Sequence, residues 1–514
     1  MRLAELIAGA PVARIQGGLD AEISGLAYDS RKVRSGDLFF ATARDQAARR
    51  AHIGEALRRG ARAVAAREGA VEEARPAFTI LECAEPRAVM AIAASRFFGA
   101  PSRKLDLIGV TGTSGKTTST WLLASIFEAA GRPCGLIGTL GIFARGRKLQ
   151  SGLTTPESID FESALAAMDG EGVTAAAAEI SSIGIAERRA DQLSFAACLF
   201  TNLGRDHLDY HGTIEAYFDA KLRLFTEILP HSARPGGAVA VARGDDPYGA
   251  RVLAACRGGK VSFGLDRALD VYPESYRTDV DGIRATLNLM GRRREISSPM
   301  LGEINLLNIL GASAVSAALG IEPEAVAEGV RRCPGAPGRL EAVAGPQGVK
   351  VLVDYAHKPD ALEAVLGALR ALEPRRLICV FGCGGDRDRG KRPIMGAIAG
   401  RLADTAVLTS DNPRSEDPLA IIAQVEAGLA ERGLERISQT RAAQGERGYV
   451  VEPDRRGAIA LALRIARPGD IVVVAGKGHE DYQLIAGRRL DFDDRVVVRE
   501  IAASMGETEP PSRN

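Results

Sequence analysis

Residues 107–131, LIGVTGTSGKTTSTWLLASIFEAAG, run from an apolar stretch into glycines and then into a Lys-Thr-Thr that opens a helix-periodic segment. Few folds accommodate that order. A strand that turns through glycine directly into a helix is a phosphate cradle: glycines let backbone N–H groups close on an anion, and the helix N-terminus favours negative charge. Gly112, Thr113, Ser114, Gly115, Lys116, Thr117 and Thr118 make up the loop and the helix start. Lys116 is placed to reach outer phosphates and Thr117 to bind Mg²⁺. The spacing departs from GxxxxGK[ST], because Gly109 lies six residues before Gly115 where that pattern needs five. A plain glycine turn would leave Lys-Thr-Thr unexplained, so the segment predicts an ATP site.

Strand-like and helical stretches alternate onward from there: AAAAEI (175–180), ACLFTNL (197–203), then YFDAKLRLFTEIL (217–229) as a helix. The alternation predicts an α/β protein with mainly parallel sheets and helices on both faces. Two Gly/Pro-rich stretches, FFGAPSRKLD (97–106) and RCPGAPGRLEAV (332–343), mark boundaries. They divide the chain into 1–98, a central P-loop domain 99–334, a Rossmann-like domain 335–505 and a disordered tail 506–514. Three domains also suit 514 residues, at roughly 150 residues per domain.

In the third domain, KVLVDYAH, RLICVFGCGG, TAVLTSDNPR and DIVVVAGKGHED are apolar strands ending in polar or glycine residues. Ligands of open α/β sheets bind at the carboxyl ends of the strands. One crevice is therefore expected to collect Asp354, His357, Arg387, Arg414 and Glu480.

Bulk chemistry narrows the partners. A net charge of +1 gives no electrostatic footprint for nucleic acid or an anionic membrane. No apolar run is long enough to span a bilayer, and the start lacks a signal-peptide pattern. Seven cysteines without CxxC or framework spacing read as reduced thiols of a cytoplasmic protein.

Several side chains are ambiguous in isolation. Glu179 ends a strand before Ser181 and Ser182, as a Mg²⁺ ligand or a solvated carboxylate. His207 and His211 are four apart; zinc is weighed against a hard cation, since Asp209 and Gly212 suggest a loop. Lys221 reads as a solvated helix face. Asn305 and Asn308 share a helix face and suit an adenine edge, caps or polar surface.

Taken in order, TGTSGKTT, EISS, TNLGRDHLDYHG with the following AK, GEINLLN, PGRLE, VDYAHKPDAL, GCGGDRDRGKRP and GKGHED resemble the Mur ligase family over residues 25–490. The resemblance implies an ATP-dependent amide ligase of peptidoglycan synthesis, and a monomer is the expected state. In it, the D-Glu γ-carboxylate of UDP-MurNAc-L-Ala-D-Glu is phosphorylated and the acyl phosphate is attacked by an amine. It assigns Glu179, His207 and Lys221 to Mg²⁺, with Lys221 carbamylated to N6-carboxylysine. Asn305, Arg339 and Asp354 go to the nucleotide. Ser30, Asp45, Gln46, Ala47, Thr154, Thr155, Ser181, Glu187 and Arg189 go to the UDP substrate. Asp411-Asn412-Pro413-Arg414 marks family members that add meso-diaminopimelate, whose distal carboxylate a planar arginine fork can hold; Arg387, Gly476 and Glu480 complete that set. Four departures stand out: Ile183 for histidine, Glu187 for glutamine, Ala48-Arg49 for Asp-Gly, and Lys358 for threonine. Rival readings are a lysine-adding or folylpolyglutamate synthetase-like ligase, and a nucleotide-binding regulator without catalysis.

Overall fold

Apolar runs bounded by Gly, Pro and Asp become strands, and eight α-helices among the described residues open on a capping side chain. The structure, a computed structural model, describes residues 1–70, 78–232 and 236–506. The expected tail lies outside the described residues except for Gly506, which ends the last helix. Two compact units result: Met1–Tyr272 with Asn288–Arg293 and Leu310–Gly329, and Pro273–Leu287 with Arg294–Ile309 and Val330–Asn514.

The first unit begins with a five-stranded sheet in the order Arg14–Gln16, Thr79–Glu82, Ala63–Ala66, Asp37–Phe40, Gly25–Ala27. Only its first pairing is antiparallel. Helix Gln46–Arg58 is capped by Asp45, and helix Pro86–Phe97 by Glu85 with proline in its first turn, where the missing N–H costs nothing.

A second, larger sheet follows, whose parallel core is formed by β1 (Asp106–Thr111), β2 (Cys134–Gly138), β3 (Ala175–Glu179), β4 (Ala197–Phe200), β5 (Val239–Arg243) and β6 (Gly259–Phe263). These strands pair in parallel in the order β6-β5-β4-β1-β3-β2. Register sets Glu179 beside Val110 and Phe200 beside Thr111, so the loops leaving β1, β3 and β4 depart at one level. That shared edge is where the phosphate loop and α1 (Lys116–Ala129) begin. Helix α2 (Ser182–Ala186) follows β3. The HLDYH stretch, expected as a loop, closes into a short helix, α3 (Leu208–His211).

The helix expected over 217–229 is two elements. Helix α4 (Ile214–Arg223) passes into a π-helical turn, Leu224–Ile228. The wider turn lets Leu224, Phe225 and Ile228 all reach the core, and such turns are frequent near functional sites.

In the second unit, β7 (Lys350–Asp354), β8 (Leu377–Phe381), β9 (Thr405–Leu408), β10 (Gly448–Val451) and β11 (Ile471–Ala475) form a sheet in the order β7-β11-β8-β9-β10, all parallel. Strand Glu341–Val343 adds antiparallel to β7. Apolar clusters cover both faces, which is why β7, β8, β9 and β11 are near-continuous hydrophobic runs. All seven cysteines are free and buried. Among the described residues no helix is long and apolar enough to cross a membrane.

Candidate active site

The phosphate loop is built by steric need. Gly112 has φ 146°, and a Cβ there would lie 1.9 Å from Thr201 Oγ1, so no larger residue fits. Gly115 occupies the N-cap of α1 in the left-handed region without a side-chain cap, leaving the first N–H groups of the helix available to an anion. Lys116 Nζ folds back onto the carbonyls of Gly112 and Thr113, each at 2.9 Å. Asn202 Oδ1 accepts from Ser114 N at 3.0 Å, and Thr113 Oγ1 meets Tyr217 OH at 3.1 Å.

Glu179, at the end of β3, is buried. It accepts from Thr117 Oγ1 at 3.0 Å and from Thr139 N at 2.9 Å. Thr139 Oγ1 donates to its other oxygen at 3.2 Å and touches Thr154 Oγ1 at 3.1 Å. These partners are neutral. A carboxylate and two hydroxyls, with no cation in hydrogen-bond contact among the described residues, form a hard-oxygen donor set of the kind Mg²⁺ takes.

Lys221 is 1 % exposed and donates to Gly112 O at 2.9 Å. The solvated-face reading is therefore wrong for this residue: α4 turns it inward, above the Tyr217 ring at 4.5 Å. Burial, with Lys116 alongside, pushes its ammonium well below the usual lysine range. His207 takes φ 52° at the start of α3 and lies 3.5 Å from Asp206. His211 instead meets Ser182 Oγ at 3.0 Å, and burial lowers its pKa. Among the described residues no group of three or more His, Cys, Asp and Glu side chains is gathered closely enough to hold a metal ion, zinc included.

Thr155 and Ser181 lock the β3–α2 corner: Thr155 Oγ1 accepts from Ser181 N at 2.9 Å and donates to Glu179 O at 2.9 Å. Arg189 donates to Glu157 at 3.1 Å and to Thr155 O at 3.2 Å. Beside them opens a cavity of about 440 Å³ whose lining includes Tyr28, Arg44, Arg87, Ile183, Glu187 and Arg189. Of the other expected substrate contacts, Ser30 Oγ donates to Glu55 at 2.6 Å, Asp45 caps the helix that Gln46 and Ala47 begin, and none of these four lines the cavity.

In the second unit, Asn305 Nδ2 donates to Leu301 O at 2.9 Å, and its Oδ1 accepts from Asn308 at 3.1 Å. Asp354 accepts from the N–H groups of Leu340 and Ala356, both at 2.7 Å; burial raises its pKa against the pull of Arg339. Arg339 stacks over Tyr355 at 4.6 Å.

The loops after β8, β9 and β11 interlock. Asn412 Nδ2 donates to Glu480 at 3.0 Å, and its Oδ1 accepts from Leu484 N at 2.9 Å. Arg414 holds φ 55°, donates its backbone N–H to Leu484 O at 2.9 Å, and aims Nη1 at Gly385 O at 2.7 Å. Lys477, fully buried, reaches Asn412 and Glu480 at 3.2 Å each and Asp411 at 3.7 Å. Asp411 Oδ1 has no hydrogen-bond partner among the described residues. Gly476 donates its N–H to Asp354 O at 3.0 Å, and Arg387 is exposed beyond Gly384. His357 Nδ1 donates to Tyr355 O at 2.8 Å, and burial lowers the pKa of this imidazole. Of the residues expected in one crevice, Arg414 and Glu480 meet through the Asn412 loop and Asp354 joins them by backbone at Gly476, whereas the Arg387 and His357 side chains make no hydrogen bond to this cluster among the described residues.

Sequence reasoning passed over Arg44, Arg87, Glu157, Thr139, Tyr210 and Lys477. Lys477 alone carried a signal, as the one cation in the GKGHED stretch that follows an apolar strand.

Comparison with known proteins fits this geometry. Residues 110–316 match the Mur ligase middle domain, and 338–478 match the Mur ligase, glutamate ligase domain. The UDP-N-acetylmuramoyl-L-alanyl-D-glutamate--2,6-diaminopimelate ligase of Geobacter metallireducens is 42% identical over 99% of each chain. A solved structure of a ligase of the same name superposes with TM-score 0.70 at 32% identity, covering 99% of this chain and 100% of its own. A folylpolyglutamate synthase of Mycobacterium tuberculosis complexed with ADP and AMPPCP, at 20% identity, TM-score 0.59, and 82% and 95% coverage, shares the fold. With both family domains matched and full-length relatives above 40% identity, this chain belongs to the Mur ligase family.

Proposed function

We propose that the chain is a cytoplasmic, monomeric ligase that uses ATP and Mg²⁺ to join meso-2,6-diaminopimelate to the D-Glu γ-carboxylate of UDP-MurNAc-L-Ala-D-Glu in peptidoglycan precursor synthesis. Its domains are 1–98, 99–334 and 335–505. The reading is supported by relatives that carry this name over their whole length. The observation that carries it is the Asn412–Lys477–Glu480 cluster beside Arg414. That cluster supplies a carboxylate for an ammonium group and a guanidinium for a carboxylate, the two charges of an amino-acid end.

In this reading, Gly112 to Thr118 hold ATP phosphates, and Lys116 turns from its own carbonyls to the outer phosphate oxygens. Thr117, Glu179, His207 and carbamylated Lys221 would hold Mg²⁺, which when bound neutralises phosphate charge. Asn305, Arg339 and Asp354 serve the nucleotide. Ser30, Asp45, Gln46, Ala47, Thr154, Thr155, Ser181, Glu187 and Arg189 serve the UDP substrate, and Asp411 to Arg414, Arg387, Gly476 and Glu480 the amino acid. The γ-carboxylate oxygen attacks the terminal phosphorus and ADP leaves. The amine then attacks the acyl carbon, loses a proton, and phosphate departs. The chain's contribution is positioning and charge compensation.

Incubation with ATP, Mg²⁺, diaminopimelate and either UDP-MurNAc-L-Ala-D-Glu or a folate acceptor tests the proposal. Mass spectrometry should show the UDP acceptor gaining one diaminopimelyl residue. Absence of that product alongside an extended folate would refute the acceptor assignment.

A further inference from the structure

Glu187 is the only acid among the residues lining the 440 Å³ cavity, facing Arg44, Arg87 and Arg189. Its carboxylate is well held. Arg87 Nη1 lies 2.8 Å from Oε2, Tyr210 OH donates to Oε1 at 2.6 Å, and Arg44 pairs with the same oxygen. The Glu187 side chain is 12% exposed and that of Arg87 16%, whereas Arg44 is 70% exposed. Burial would raise this carboxyl, but Tyr210, Arg87 and Arg44 together hold it below the usual carboxylate range.

Each arginine has a structural reason for its place. Arg87, in the first turn of helix Pro86–Phe97, also reaches Glu157 at 3.2 Å. Arg44 sits on a loop propped from beneath by Arg49, which is buried and donates to Ala43 O at 2.9 Å and Arg44 O at 2.7 Å. Arg189 is already committed to Glu157 and Thr155 O. Among the donors that a second anion in this cavity could recruit are the guanidiniums Glu187 holds, Arg44 and Arg87, with Tyr210 bonded to the same carboxylate.

We propose that Glu187 is a specificity-setting competitor, a carboxylate that vies with the diphosphate of the ligand for Arg44, Arg87 and Tyr210 and is displaced from them on binding. This rests on the UDP-substrate reading above. Two anions cannot share these guanidiniums without repulsion, so binding must release the carboxylate, and affinity is lowered by the cost of breaking its pairs. Ligands with one negative charge compete poorly, whereas a diphosphate repays the exchange with bidentate contacts. The carboxylate thereby favours doubly charged ligands over singly charged ones.

Titration calorimetry of the full chain and its Glu187→Gln and Glu187→Ala variants, with UDP-MurNAc-L-Ala-D-Glu and separately with inorganic pyrophosphate, tests this. Both variants should bind each probe about tenfold more tightly than the parent, with steeper salt dependence, because two arginines lose their internal counter-anion. ATP affinity and melting temperature serve as controls for folding. If pyrophosphate binds more tightly to the variants while the UDP peptide binds to none of the three proteins, the competitor role stands and the substrate reading falls. Unchanged or weaker binding of both probes in the folded variants would overturn the proposal.

Discussion

Lys116 and Lys221 each place an amine 2.9 Å from one acceptor, the carbonyl oxygen of Gly112. Of the two, Lys221, at 1 % exposure and with Lys116 alongside, is the amine whose pKa is pushed down. A neutral amine is also the form that can attack CO₂, forming an N–C bond and losing a proton, as the proposed carbamate requires. The pH consequence has a definite sign. Because the folded pKa is lowered, the unfolded chain binds the extra proton. Lys221 therefore destabilises the unmodified fold at neutral pH, and stability recovers as pH rises from the lowered folded pKa to 10.5. Lys221→Met should abolish ligation yet melt above bicarbonate-free parent protein at pH 7, with the gap closing at alkaline pH. Added bicarbonate should raise the melting temperature of the parent alone. A variant that melts lower at pH 7, or that still ligates, would count against a neutral, carbamate-forming lysine. Nothing in YFDAKLRLF reveals this burial. Its local pattern fits a solvated face, and only the family resemblance pointed inward. Glu187 was legible as a departure from the family, but its partners were not, because Arg44 and Arg87 lie 143 and about 100 residues away.

At the scale of elements, strands and their polar ends were the most legible feature, since a strand buried on both faces must be a continuous apolar run. Bounds held to within a few residues for Lys116–Ala129, Ala175–Glu179 and Ile471–Ala475. The π-helical turn at Leu224–Ile228 was hidden because core packing, not local propensity, imposes it. Helix Ser158–Gly170 carries another buried feature that its sequence conceals. Glu162 is 1% exposed. Burial pushes its carboxyl up to about 7, against the pull of Ser95 and Arg103. Here the folded state binds the extra proton, so the contribution is complete below the unfolded pKa near 4.5 and is lost as pH rises through about 7. Glu162→Gln should therefore flatten the fall in melting temperature between pH 5 and pH 8 and melt above the parent at pH 8. Parallel melting curves for the two proteins across that range would contradict the assignment.

Across the whole molecule, the reading by domains and the physical division differ in emphasis. The segment 1–98 shares a compact unit with the phosphate-loop sheet. Tyr28 OH bonds Asp160 at 2.5 Å, Arg87 pairs with Glu157, and Ile159 joins the N-terminal core. A Gly/Pro-rich linker marks a change of sheet but carries no information about packing across it; Pro101 and Ser102 inside it are buried. The chemistry proposed at this scale places phosphate binding in the first unit and amino-acid reading in the second. The most direct test of that account is amine-dependent ADP release with UDP-MurNAc-L-Ala-D-Glu, comparing meso-diaminopimelate with L-lysine in parent protein and Arg414→Ala. The account predicts turnover with diaminopimelate and little with lysine, and a diaminopimelate KM raised by the equivalent of about 2–5 kcal/mol in the variant while the ATP KM holds. Turnover with lysine but not diaminopimelate, or an Arg414→Ala enzyme with parental diaminopimelate KM, would contradict it.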